Sequence, residues 1–272
     1  MNAKLIAAIV IVAVLAHGCA TVEPEEEQLT WSAALAKTLP LEDADTVEAA
    51  RFSALRAGAA DLGGWEPWTV LRGNTPTDYR LVERDGVVVL QADSPGAGSG
   101  LFRKIRIDPH RTPILEWRWR VPRESATGGA HGPSAVSPPV RLSLAFDGDA
   151  AKLDFDDRAK LRLAKALTPN GLPYASLLYV WLTRRPIETV YASPHIGRVR
   201  HIVVESGEQG LGQWVTERRN ILTDYRRAFG EEPGDIVAIG VMTDFGDNGA
   251  PRRAFYGDIT FRSLGPARSA AR

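Results

Sequence analysis

The chain has 272 residues, of which 33 are basic, 33 are acidic and 44% are hydrophobic. Because phosphate binding needs a basic surface, this balanced charge argues against a nucleic-acid partner. The one cysteine excludes an internal disulfide, so a hydrophobic core must hold the folded chain together.

Residues 1–18 have the pattern of an export signal. Lys4 precedes an unbroken apolar run over residues 5–15, which is too short to cross a bilayer. Gly18 directly precedes Cys19, as in bacterial lipoprotein signals. The sequence therefore predicts that Cys19 is lipidated and anchors the protein, facing the periplasm. Ala20 favours the outer membrane over the inner one, by resemblance to Gram-negative lipoproteins. The alternative is a plain secretory signal.

Residues 19–50 are predicted to form the lipidated tether and short helices. Residues 21–28 contain four glutamates around Pro24, which is typical of a solvated linker. Apolar spacing predicts a helix over residues 29–39 and allows a helical turn near residues 45–50. A first strand is expected at residues 51–55.

The strand over residues 114–121 is the most regular pattern in the chain. Its apolar side chains alternate with charged ones and are predicted to face a second sheet: Leu115, Trp117, Trp119 and Val121. The opposite face carries Glu116, Arg118 and Arg120. That face is either an ordinary solvated surface or one side of a polar groove.

Other strands and turns follow from Gly63 onward. Asp85-Gly86 between two β-rich runs, residues 79–82 and 87–92, predicts a hairpin. Further strand patterns cover residues 101–107, 141–146, 177–182, 199–205, 236–243 and 255–261. Two helices are predicted, at residues 155–167 and 224–229. The pattern is that of an all-β protein, a jelly-roll-like β-sandwich over residues 51–264 with short helical inserts, followed by a disordered tail at residues 265–272.

Four ordered blocks in the second half carry a family resemblance: residues 214–220, 224–233, 240–244 and 256–259. Together with Trp117-Arg118-Trp119-Arg120 they resemble the domain-of-unknown-function 3047 family of exported bacterial proteins. The resemblance covers roughly residues 52–261. It implies a strand plan similar to that of β-sandwich carbohydrate-binding modules, as a fold analogy only. The chain departs from the family pattern at residues 244–248.

Oxygen-rich residues near the end of the chain form a candidate metal site: Asp244, Asp247, Asn248 and Asp258. Calcium binds six to eight oxygen ligands, which a short acidic turn can contribute. The alternative is a set of Asx turns that cap a hairpin. Beyond this structural calcium, no cofactor is predicted.

A candidate ligand-binding face combines guanidinium, carboxylate and aromatic groups: Glu116, Arg118, Arg120, Arg141, Trp181 and Tyr256. Such a mixture binds sugars by stacking or acidic polymers by bidentate contacts. It requires that Arg141 lie on a strand next to Arg118 and Arg120, with residues 122–139 as one wall. The alternative is that the arginines pair with Glu116, Glu205 and Asp258 across strands.

No catalytic signature accompanies these groups. The histidines lack metal-ligand spacing, no serine lies in a nucleophile-elbow pattern, and capping of a helix explains Asp154, Asp156 and Asp157. The sequence therefore predicts a non-catalytic envelope lipoprotein that binds a saccharide or cell-envelope polymer. The alternatives are a hydrolase or lyase acting on envelope glycans, and a structural component of an envelope protein complex.

Overall fold

The structure, a computed structural model, describes residues 39–69, 76–95, 99–126, 138–167, 172–182, 184–194, 196–243 and 252–265. The predicted signal peptide, Cys19, the glutamate-rich tether, residues 29–38 of the predicted helix and residues 266–272 of the predicted tail lie outside these ranges. The strands are β1 (Thr46–Ala50), β2 (Glu66–Thr69), β3 (Asp78–Arg84), β4 (Val87–Ser94), β5 (Ser99–Ile107), β6 (Ile114–Arg120), β7 (Arg141–Phe146), β8 (Ala175–Leu182), β9 (Val190–Ala192), β10 (Val199–Ser206), β11 (Val215–Asn220), β12 (Ile236–Thr243) and β13 (Arg252–Arg262). The helices are α1 (Arg123–Ala126), α2 (Phe155–Leu167) and α3 (Ile221–Phe229).

These strands form two sheets, which confirms the predicted β-sandwich. The first sheet has the order β11-β6-β13-β4-β3, with β1 paired to β13. The second has the order β2-β5-β12-β7-β8-β10-β9. Neighbouring strands are antiparallel except β8 and β10, which are parallel.

The core lies between the sheets and is centred on β6, as predicted. Trp117 and Trp119 are 2% and 0% exposed, and their rings meet edge to face at 5.4 Å between centroids. Tyr179 of β8 lies 5.1 Å from Trp117, and Trp181 of the same strand lies 6.4 Å from Trp119. The second sheet therefore covers the two indoles.

The hairpin predicted from Asp85-Gly86 is present between β3 and β4. Asp85 has φ 54° and Gly86 has φ 76°, so both turn residues adopt left-handed backbone conformations. Two-residue turns of this kind match the right-handed twist of the strands they join. The turn fixes the position of Asp85, which recurs below.

The prediction for residues 45–55 is wrong. Thr46–Ala50 is strand β1 rather than a helical turn, and Phe52–Ala54 forms a 3-10 turn rather than a strand. Val47 and Ala49 alternate toward the core, and β1 pairs with β13. Because this pairing joins distant parts of the chain, it overrides the weak local helical preference. The sandwich therefore begins at Thr46.

Both predicted helices are present, with corrections. Asp154 caps α2 by accepting a hydrogen bond from the Asp157 amide at 2.8 Å, and Phe155, the first residue of this helix, is 82% exposed. Helix α3 begins at Ile221, three residues before the predicted start, because Asn220 accepts the Thr223 amide at 3.1 Å. Within the described ranges, the structure contains no helix of the length and apolar character needed to cross a membrane.

Candidate functional site

A pocket of about 330 Å³ opens on the outward face of the first sheet. Its lining combines parts of the β3–β4 hairpin, β6, α1, the loop before β11, and β13: Arg84, Arg120, Pro122, Arg123, Glu124, Gly212, Arg253 and Phe255. We call it the arginine pocket after its four guanidinium side chains. The register of the sheet creates it, because Arg120 of β6 lies directly opposite Phe255 of β13.

Phe255 fixes one of these guanidiniums. Arg84 ends β3, and its guanidinium carbon lies 5.0 Å from the centroid of the Phe255 ring. A cation over an aromatic face is attracted by the negative charge of that face. Since Phe255 is 5% exposed, the surrounding side chains cover the ring and leave the guanidiniums as the groups that a ligand meets.

The carboxylates near the arginine pocket do not neutralise it fully. Arg253 forms an ion pair with Asp93, and Arg120 has only a long contact of 3.6 Å with Asp85. The Arg120 Nε is buried and has no hydrogen-bond partner among the described residues. Arg84 and Arg123 likewise have no carboxylate partner within the described part of the chain. The pocket is therefore suited to an anionic group.

Trp214 forms a second aromatic contact beside the pocket. Its indole N–H donates to Asp85 at 3.1 Å, and its ring lies 6.4 Å from that of Phe255. The Arg118 guanidinium carbon lies 4.7 Å from the Trp214 ring centroid. Gly257 makes this possible, because a Cβ at that position would come within 2.5 Å of Arg118 Cγ. Arg118 therefore packs under Trp214.

A second pocket, of about 600 Å³, adjoins the arginine pocket and shares Glu124 and Arg253 with it. Asp93 lines the second pocket and accepts hydrogen bonds from Arg80 and Gln91, each at 2.6 Å. Burial alone would raise the pKa of Asp93, but the hydrogen bonds from Arg253 and Gln91 outweigh it and lower the pKa. Asp93 is therefore ionised at neutral pH.

The predicted residue Glu116 lies on the same outward face but outside both pockets. It accepts hydrogen bonds from Arg218 at 2.9 Å and from Arg262 at 2.8 Å. Burial opposes ionisation of Glu116, but these two bonds outweigh it and lower the pKa of the carboxyl. The cross-strand ion pairs considered as an alternative are thus present at Glu116, although with arginines other than Arg118 and Arg120.

Three predicted ligand-binding residues do not share that face. Arg141 is on β7 of the second sheet, where its guanidinium contacts the Met242 sulfur at 3.3 Å. Trp181 and Tyr256 are both 0% exposed, so no ligand can reach them from outside. The expected adjacency of Arg141 to Arg118 and Arg120 is wrong, because β7 pairs with β8 and β12 rather than with β6. Trp181 and Tyr256 are inaccessible because both rings are buried in the core.

The candidate metal site is only partly described. Asp244, Asp247 and Asn248 lie outside the described residues. Asp258 uses both carboxylate oxygens to accept from Ser53, one from its amide at 2.9 Å and one from its hydroxyl at 2.5 Å. Within the described ranges, no group of three or more histidine, cysteine, aspartate or glutamate side chains could hold a metal ion.

One carboxyl pair went unnoticed in the sequence. Glu217 faces inward from the edge strand β11 and is 8% exposed. Burial, and next the negative charge of Glu205, raise the pKa of Glu217 to about 7. The Trp119 N–H lies close enough to lower that pKa in part, although the two groups form no hydrogen bond of good geometry. Because a glycan cannot reach so buried a carboxyl, the pair does not resemble a hydrolytic site.

The candidate ligand-binding face did not include Arg84, Arg123, Arg253 and Phe255, which line the arginine pocket, or Trp214 beside it. Two of them had a local signal, since Arg84 precedes the predicted turn and Arg123 lies in the irregular stretch that was expected to form a wall. Arg253 and Phe255 reach the pocket only through the pairing of β13 with β6 and β4, which local patterns do not reveal.

Three solved structures are similar in fold at low identity. The glycoside hydrolase domain of Endo-D from Streptococcus pneumoniae is 9% identical with a TM-score of 0.33, over 74% of this chain and 22% of that chain. The family 30 carbohydrate-binding module of cellulosomal cellulase Cel9D-Cel44B from Clostridium thermocellum is 10% identical with a TM-score of 0.38, over 81% of this chain and 99% of that one. The K3 cleaved adhesin domain of Lys-gingipain from Porphyromonas gingivalis is 8% identical with a TM-score of 0.33, over 74% and 93%. TM-scores this low carry no weight for function.

The sequence itself identifies the family. No curated protein matches the chain. Residues 63–260, which are most of the described sandwich, match the family described as "Protein of unknown function (DUF3047)". The chain therefore belongs to the DUF3047 family, as the blocks in its second half predicted.

Proposed function

We propose that this protein is a non-catalytic binding domain that holds an anionic saccharide or cell-envelope polymer in the arginine pocket. The observation that carries the proposal is the imbalance of charge in that pocket: four arginines line it, while Glu124 is the one carboxylate among its described lining residues. Guanidinium groups bind carboxylates and phosphates through paired N–H donors. An open position on the face of a sheet also suits a polymer whose chain continues beyond the site.

The side chains that line the arginine pocket fit a binding function better than they fit a hydrolase or a lyase. Glycosidases place two carboxylates on either side of the bond they cleave. Glu124 is the one carboxylate in the described lining of the arginine pocket, and the two further carboxylates of the adjoining pocket, Asp78 and Asp93, are both ion-paired with Arg80. Glu217 is only 8% exposed, so it and the half-buried Glu205 cannot flank a glycosidic bond of a bound substrate. These observations support a binding role.

The binding test uses the full chain with Cys19→Ser, titrated by calorimetry with galacturonic acid hexamers and with neutral maltohexaose. We expect the acidic hexamer to bind and the neutral one to bind far more weakly. The double variant Arg84→Gln/Arg123→Gln should lose about tenfold or more in affinity, because hydrogen bonds to charged groups contribute roughly 1.5–3 kcal/mol each. Arg218→Gln, which removes an arginine paired with Glu116 on the same face, is the matched control and should bind as the parent does.

Equal or tighter binding of the neutral hexamer, or equal binding of the acidic hexamer by the double variant, would contradict the proposal. Release of shorter sugars during the titration would favour the alternative of a hydrolase or lyase.

The proposal includes a lipid anchor at Cys19 that holds the domain on the outer membrane, facing the periplasm. It rests on the signal-like residues 1–18 and on Ala20. Metabolic labelling with a fatty-acid probe should mark the parent protein and not Cys19→Ser. Label that persists in the variant would exclude the anchor.

A further inference from the structure

The two adjoining pockets differ in charge, although they share Arg253 and Glu124. The second pocket has three acidic and three basic side chains among its described lining residues: Asp78, Asp93, Glu124, Arg80, Arg252 and Arg253. The arginine pocket has four basic side chains and one acidic. A ligand that extends from one pocket into the other therefore passes from a basic surface to a balanced one.

Four of the six charged groups that line the second pocket form ion pairs with one another. Arg80 contacts Asp78 at 3.1 Å and Asp93 at 2.6 Å, and Asp93 also accepts from Arg253. A second acidic group placed here would approach an ionised Asp93 and would have to displace it from Arg80. Sugar hydroxyls both donate and accept hydrogen bonds, so they can bind such ion pairs without displacing them.

Helix α1 contributes to the lining of both pockets. Ser125 of α1 accepts a hydrogen bond from the Arg253 amide at 3.0 Å, which holds the helix against β13. Glu124, the residue before Ser125, lines both pockets. Volumes of about 330 and 600 Å³ fall in the range of small-molecule sites, so each can hold at least one sugar.

We propose, resting on the proposed function, that the ligand is a linear polysaccharide in which acidic and neutral sugars alternate. The acidic sugar lies in the arginine pocket, and its neutral neighbour lies in the second pocket. The all-acid polymer is disfavoured because every second carboxylate would face Asp93 and Asp78.

The experiment compares two hexasaccharides on the full chain with Cys19→Ser at one ionic strength. One alternates glucuronic acid with N-acetylglucosamine, and the other contains galacturonic acid alone. We expect the alternating hexamer to bind about tenfold more tightly, which corresponds to about 1.4 kcal/mol. Charge attraction by itself gives the opposite order, because the all-acid hexamer carries twice as many carboxylates.

A variant and its control test the assigned location. Asp78→Asn removes an exposed carboxylate of the second pocket and should raise affinity for the all-acid hexamer several-fold. The preference for the alternating hexamer over the all-acid hexamer should therefore become smaller. Glu48→Gln removes a carboxylate of comparable exposure on β1, away from both pockets, and should leave the preference unchanged.

Equal or tighter binding of the all-acid hexamer by the parent protein would overturn the alternating ligand and leave the proposed function standing. An unchanged preference in Asp78→Asn would overturn the role of the second pocket. If neither hexamer binds, the proposed function fails and this inference fails with it.

Discussion

Each end of β6 carries a charged side chain on its outward face, but the surroundings of the two side chains differ. At one end, Glu116 accepts hydrogen bonds from both Arg218 and Arg262. At the other end, Arg120 has a single distant carboxylate at 3.6 Å and stands among three further arginines. The strand alternates in the same way throughout, so neighbouring strands and loops decide whether its charges are paired.

At the Glu116 end the charged groups are already paired with one another, whereas at the Arg120 end they remain available to a ligand. Exposed ion pairs contribute little to stability, and arginines that are already paired have few donors left for a ligand. Guanidiniums placed close together repel one another, so the arrangement near Arg120 does not stabilise the fold. Three predictions test whether the two ends of β6 contribute independently to stability and to ligand binding.

The largest expected effect is on stability, from a substitution in the core that lies beneath both ends of β6. Trp119→Ala should lower the free energy of unfolding by about 3–5 kcal/mol, because truncating a buried aromatic side chain leaves a cavity. Urea unfolding measures the change, with Phe155→Ala as the control, since Phe155 is 82% exposed and should be near neutral. A soluble Trp119→Ala protein of unchanged stability would mean that Trp119 does not support the sheet.

The second effect is a pH dependence of stability that arises from Glu217, a buried carboxyl near the Glu116 end of β6. Glu217 lies on β11, next to Arg218, and its pKa rises from an ordinary 4.5 to about 7 on folding. Between these values the folded protein binds more protons than the unfolded chain, so stability should fall as the pH rises from 4.5 to 7, by about 3 kcal/mol at most, and then level off. Glu217→Gln should flatten this part of the profile.

The measurement for Glu217 is urea unfolding of parent and variant across that pH range. Affinity at the arginine pocket should not show the same pH step, because Glu217 does not line it. Parallel stability profiles for the two proteins would contradict the assignment of the step to Glu217.

The smallest effect compares single charges at the two ends. Glu116→Gln should cost about 0.5–1 kcal/mol because it leaves Arg218 and Arg262 without their carboxylate. Arg123→Gln should change stability by less than about 0.3 kcal/mol, because this arginine has no carboxylate partner in the described structure. Thermal unfolding at low salt resolves the two. A larger loss for Arg123→Gln than for Glu116→Gln would reverse the comparison.

Local sequence patterns correctly predicted the elements that depend mainly on their own residues and little on pairing with distant strands. The alternation around Trp117 and Trp119 predicted both the strand and its buried face, and Asp85-Gly86 predicted the hairpin. Residues 45–50 were expected to allow a helical turn, because the short alternation around Val47 and Ala49 becomes decisive only beside β13. The strand that carries Trp181 is largely apolar on both faces, so its sequence does not show which face the indole occupies.

The site was less predictable than the fold for the same reason. Arg84, Arg120 and Phe255 are far apart in the chain and meet because β13 lies between β6 and β4 in the sheet. The inward position of Glu217 follows from the alternation of β11, once the strand is known to begin at Val215. Its neighbour Glu205 comes from the opposite sheet, which local alternation does not reveal.

Strand β13 links the two pockets to β1, so it would carry any force that a bound polymer applies to the domain. Its first residues border both pockets, and its last residues pair with β1, with Arg262 opposite Thr46. If the chain is held from the side that precedes β1 while a polymer pulls at the pockets, the tension runs along β13 and slides it against β1. Antiparallel strands loaded in this direction must break their hydrogen bonds together rather than one after another, which is the more resistant geometry for a domain under tension.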